Sequence, residues 1–92
     1  MRELLYSPAF MRMLKRILRK SPHSQASIQI VLATLQANPF DPELKTHKLK
    51  GKMAGVWAST VAYDLRIVFV FSKNQPEDDI QLLGIGTHDD VY

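Results

Sequence analysis

Leu65-Arg66-Ile67-Val68-Phe69-Val70-Phe71 is the stretch on which the fold turns. From Ile67 to Phe71 no position is polar, as expected of a central strand covered on both faces. Residues 56–62 form a second β-rich run, and only Tyr63-Asp64 lies between the two, so together they predict a hairpin. Beyond it, residues 72–79 make a polar loop with Asn74 and Pro76, and residues 80–85 a last strand. Residues 86–92 are left as a tail.

Upstream of the hairpin the period changes. Phe10, Leu14, Ile17 and Leu18 recur at i, i+4, i+7 and i+8, which is one face of a helix. Arg12, Lys15, Arg16, Arg19 and Lys20 take most of the other positions. Ser7 offers a capping oxygen and Pro8 suits a first helical turn. Ser21-Pro22 repeats that signal, and Ile28, Val31, Leu32 and Leu35 carry a second apolar stripe as far as Asn38-Pro39. So short a turn predicts antiparallel helices. Residues 3–6 are partly apolar and compatible with a strand. The predicted order is β-α-α-β-β-β. This is an α+β fold, with a two-helix antiparallel hairpin on one face of a small, largely antiparallel sheet.

Size and composition bound the possible functions. Ninety-two residues form one domain, residues 1–92, and 46% hydrophobic with 23% charged residues is globular composition. The absence of cysteine excludes disulfide scaffolds, cysteine nucleophiles and thiolate zinc sites. No apolar run approaches the roughly 18 residues of a membrane span, which predicts a soluble, cytoplasmic protein without a membrane partner. The net charge of +3 hides an asymmetry. Residues 1–66 hold eleven of the twelve Lys and Arg against four acids, while residues 67–92 hold Lys73 against five. The basic excess points to a polyanion partner. There is no phosphate-binding glycine loop, and two loop histidines without cysteine or an acidic cluster make no metal site.

Three further stretches carry chemistry. They are His47-Lys48-Leu49-Lys50-Gly51, Trp57 with Tyr63-Asp64-Leu65-Arg66-Ile67-Val68-Phe69, and Gly86-Thr87-His88-Asp89-Asp90-Val91-Tyr92. In that order they resemble the RelE/ParE superfamily of bacterial toxin–antitoxin toxins, most closely its YafQ-like branch. The first looks like the branch's H-x-L-x-G element, the second like the D-Y-R-V-I-Y hairpin, the third like the terminal G-T-H-x-x-[LV]-[FY]. The resemblance implies a RelE-like fold and a type II toxin that cleaves mRNA in the ribosomal A site. It implies an endoribonuclease working without metal or cofactor, and a cognate antitoxin that holds it inactive in a hetero-oligomer. Two positions depart from the pattern. Thr60 aligns with a second-strand histidine of the branch, and Ala58 stands where RelE-like toxins often have an arginine close to the tryptophan. Two alternatives stay open: a ParE-like poison of DNA gyrase, and a catalytically weak or inert homologue acting only with its antitoxin.

Cutting RNA without a metal needs a base on the 2′-OH, an acid on the 5′ leaving oxygen, and donors on the phosphoryl oxygens. Histidine serves either proton role near neutrality. Of the three histidines, His23 sits among Ser and Gln at a helix start and reads as surface. His88 follows the flexible Gly84-Ile85-Gly86 and is the candidate general acid, with Asp89 and Asp90 giving it an acidic setting. His47, in the basic loop, is the complementary base or a phosphate contact. The family pattern makes Asp64 a base or the orienter of a histidine. Arg66 must find either a phosphate or a structural carboxylate such as Asp64. Tyr92 can stack on a base or donate to the phosphate. Lys48, Lys50 and Lys52 alternate, so in an extended chain they present three charges on one face as a backbone clamp. Trp57, Phe69 and Phe71 read as core.

Overall fold

A computed structural model describes residues 2–73 and 78–91, with Lys52 described by its backbone only. Helix α1 spans Pro8–Lys20 and begins as the sequence dictates: the Ser7 hydroxyl accepts from the Phe10 amide and Pro8 opens the first turn. A 3-10 turn at Pro22–Ser24 leads into α2, Gln25–Ala37. The strands are β1 (Leu4–Tyr6), β2 (His47–Lys48), β3 (Trp57–Ala62), β4 (Leu65–Phe71) and β5 (Ile80–Gly86), and α3 (His88–Val91) closes the chain. They form one sheet in the order β1-β5-β4-β3-β2, antiparallel except where β1 runs parallel to β5. The β3–β4 hairpin turns at Tyr63-Asp64 as predicted. Two elements were not foreseen. β2 has two residues, too few to show a period, and α3 has four.

Phe10 of α1 and Ile28, Val31 and Leu35 of α2 meet Ile67, Phe69 and Phe71 of β4 and Ile80, Leu82 and Ile85 of β5 in one core. Phe69 is fully buried, with Phe71 edge-on at a ring distance of 5.6 Å. Trp57 joins this side through Phe71 at 5.6 Å and Phe40 at 5.3 Å. The strand register sorts the sheet into two faces. Trp57–Phe69–Leu82 and Ser59–Ile67–Ile85 are rows on the helix-packed face. His47–Ala58–Val68–Gly84 and Thr60–Arg66–Gly86 are rows on the other. One extra residue in β5, Leu83, sits between the pairs Phe69–Leu82 and Val68–Gly84. That bulge flips the phase of the strand, so that Ile85 enters the core and both glycines turn to the opposite face.

Candidate active site

The second face of the sheet, covered at its glycines by Met13 of α1 and by the α3 turn, gathers most of the candidate residues. Arg66, half-buried on the central strand β4, lies between Thr60 and Gly86. His47 lies one row away on the edge strand β2, exposed. Its Nδ1 is 3.0 Å from the Lys45 carbonyl. A carbonyl can only accept, so Nδ1 carries the proton and donates, and Nε2 is left to take or give one. Lys45 aims that carbonyl by adopting a left-handed conformation, φ 51°, after the 3-10 turn at Pro42–Leu44. The Thr46 hydroxyl anchors the same loop, 2.7 Å from the buried Ser59 hydroxyl and bonded to the Pro39 carbonyl.

His88 opens α3 and its side chain is 61% exposed. The preceding Thr87 and the following Asp90 cap one another. The Thr87 amide donates to Asp90 Oδ2 at 3.1 Å, and the Asp90 amide donates to Thr87 Oγ1 at 3.3 Å. This is a capping box with Asp in place of the usual Glu or Gln. Asp89, not Asp90, is the acid facing His88, at 3.7 Å from its Nδ1. The turn folds back over the sheet at Gly86. A Cβ built there would stand 2.6 Å from Asp90 Cβ, and one built at Gly84 would stand 3.2 Å from the Met13 sulfur. Gly84 and Gly86 are therefore not a flexible lead-in to His88. They are buried strand residues paired with Val68 and Arg66, and they matter for the side chain they lack.

The floor between the two histidines is formed by Ala58, Val68, Thr60 and the two glycines, all buried except the half-buried Thr60, with Met13 and Asp90 standing where the glycines lack side chains. β2 and β5 are three strand spacings apart, ~14 Å, so His47 and the α3 turn stand as opposite walls with Arg66 between them. Sequence alone does not reveal this role of Gly84, Gly86, Thr87 and Asp90. The available signal was the apolar spacing 80, 82, 85, which breaks a two-residue period.

The remaining candidates lie elsewhere or differently. Asp64 is exposed at the tip of the β3–β4 hairpin, two residues before Arg66. The chain is not extended through all three alternating lysines. Lys48 is paired with Trp57 on the helix-packed side, its Nζ 5.3 Å from the indole centre. The extended chain ends at Lys50, because Gly51–Met53 coil into a 3-10 turn with Gly51 at φ 69°. Tyr92 and the Lys52 side chain lie outside the described residues. His23 is exposed, as expected. Two apolar cavities, of about 150 and 260 Å³, lie at the β1–β5 edge and between α1 and α2, and none of these candidates lines them. Among the described residues no group of three or more His, Asp or Glu could hold a metal, and no helix is long and apolar enough to cross a membrane.

A family model described as the bacterial toxin of type II toxin–antitoxin systems, YafQ, matches residues 2–92. Solved structures agree on the fold. YafQ from E. coli superposes with a TM-score of 0.80 at 18% identity, over 100% of this chain and 99% of that one. A copper-bound mutant toxin from Helicobacter pylori gives 0.81 at 24% identity, with both chains fully covered. The E. coli DinJ–YafQ toxin–antitoxin complex gives 0.78 at 18% identity, over 99% of this chain and 97% of that one. No curated protein sequence matches significantly.

Proposed function

Because the chain belongs to the YafQ family of type II toxin–antitoxin toxins, we propose that it is a ribosome-dependent endoribonuclease that cuts mRNA by acid–base catalysis. The observation that carries this reading is the sheet face with the half-buried Arg66 at its centre, His47 on one wall and the His88 turn on the other. His47 Nε2 takes the proton of a ribose 2′-OH, whose oxygen attacks the adjacent phosphorus. Arg66 holds the phosphoryl oxygens as negative charge develops there. His88 protonates the 5′ oxygen as the P–O bond breaks, leaving a 2′,3′-cyclic phosphate and a free 5′-OH. Asp64, at the hairpin tip, orients a histidine or assists as base. Tyr92 stacks on a nucleotide or donates to the phosphate, and Lys48, Lys50 and Lys52 add salt-dependent contacts to the RNA backbone.

Thr60 and Ala58 supply no ionisable group to the floor, so the chemistry rests on His47, Arg66 and His88. The protein acts in the cytoplasm on translating ribosomes and is silenced by a cognate antitoxin; E. coli YafQ forms a toxin–antitoxin complex with DinJ. Primer extension on ribosome-bound mRNA tests the reading. Wild type should leave cuts within codons, and His88→Ala should reduce them about 10²- to 10⁴-fold. Full cutting by His88→Ala would remove the catalytic assignment. Intact mRNA in cells that wild type arrests would remove the ribonuclease itself.

A further inference from the structure

Helix α1 carries a feature that the proposed chemistry leaves unused. Arg12, Lys15, Arg16, Arg19 and Lys20 stand at i, i+3, i+4, i+7 and i+8, all exposed, in a single stripe ~12 Å long. The helix has no acid of its own, and α2 beside it has no charged residue at all. Among the described residues none of the five cations comes within ion-pair distance of an acid. A helix that needed charge only to stay in solution would intersperse both signs, because like charges at i+3 and i+4 destabilise it. Only Arg19 and Lys20, in the last turn, gain from the helix dipole.

We propose that this stripe is a docking surface for the phosphate backbone of double-helical ribosomal RNA. The exposed face offers cations and no aromatic ring. Single-stranded RNA is gripped by stacking its bases on aromatic side chains, whereas a duplex presents only its backbone and grooves. The stripe also borders the candidate cleavage face. Arg16 and Lys20 follow Met13 at i+3 and i+7, and the Met13 sulfur packs where a Gly84 side chain would be. An mRNA lying across Arg66 between the two histidines would thus leave α1 turned towards the RNA that surrounds it. The proposal rests on the ribosome-dependent reading above, and deepens it by naming a second contact remote from the reacting atoms.

The test compares the full chain with the triple variant Arg12→Gln, Arg16→Gln, Arg19→Gln and with Arg→Lys at the same three positions. Binding is measured against ribosomes, an RNA duplex of about 16 bp and a poly(U) strand of equal length. The glutamine variant should bind ribosomes and duplex roughly tenfold or more weakly, with the slope of log K on log salt smaller by about 3, while the lysine variant keeps the slope. Cut positions, and cleavage at saturating protein, should stay within about twofold of wild type. Unchanged ribosome binding, equal loss on poly(U), or a matching loss of affinity for the antitoxin would each overturn the proposal. Ribosome binding that depends on the stripe, without cleavage by wild type, would keep this inference and discard the ribonuclease.

Discussion

The two faces of the same strands do different work. On the helix-packed face, Ile67, Phe69, Leu82 and Ile85 are sealed beneath α1 and α2, and any side chain lost there leaves a cavity. On the other, Ala58, Val68, Gly84 and Gly86 are buried as well, with Met13 and Asp90 over the glycines, while Thr60 and Arg66 are half-buried and the two histidines stand exposed at the rim. Neighbouring residues of one strand, Ile85 and Gly86, thus answer to opposite demands, one filling the core and the other making room for the Asp90 side chain. Substitutions should divide accordingly. Those on the first face should act on stability and reach activity only through it, and those at the second face's rim should cost more activity than their loss of stability explains.

Phe69→Ala gives the largest effect on this contrast. The ring is fully buried and edge-on to Phe71, so its removal should cost about 3–5 kcal/mol. For a domain of this size that lowers the melting temperature by roughly 12 °C or more. Any loss of RNA cutting should follow the unfolded fraction in the same denaturation series. A variant that melts like wild type would break the contrast from the core side.

Gly86→Ala is its counterpart on the opposite face, at about 1–3 kcal/mol. The new methyl would stand 2.6 Å from Asp90 Cβ, which is fixed to the α3 backbone, so the whole turn must lift. Cutting should fall sharply, with a melting loss of roughly 4–12 °C, smaller than that of Phe69→Ala. Gly84→Ala sharpens the point, because its methyl meets the thioether of Met13, which can move aside. Equal losses of cutting from the two substitutions would show that the α3 turn is not what Gly86 protects.

The core face was nearly legible in advance. Ile67–Phe71, the Ser7 cap and the stripe through Ile28, Val31 and Leu35 are local patterns, and the fold reproduces each. The other face was legible by residue type but not by placement. His47, Arg66 and His88 share it only because four strands pair in a given register and Leu83 bulges. Those are contacts between distant parts of the chain. The two glycines read as flexibility because glycine's commonest local meaning is conformational, whereas here neither has a positive φ. The backbone at the lysines departs from an extended chain for the reverse reason: Gly51 does adopt a positive φ, and the 3-10 turn begins there.

The smallest expected effect on stability separates position from charge at the His88 wall. Thr87→Ala removes the hydroxyl that accepts from the Asp90 amide, about 1 kcal/mol for an N-cap. The four-residue α3 has no further turn to hold it, so that loss should fray the turn and misplace the His88 imidazole. Cutting should drop while the core melts almost as before, and Thr87→Ser should restore it. Asp90→Asn then isolates the charge, since an amide oxygen still accepts from the Thr87 amide. Cutting retained by Asp90→Asn and lost by Thr87→Ala means that Asp90 holds the turn. The opposite pattern means that its carboxylate charge acts on His88, and leaves Asp89, 3.7 Å from the ring, as the second source of that field.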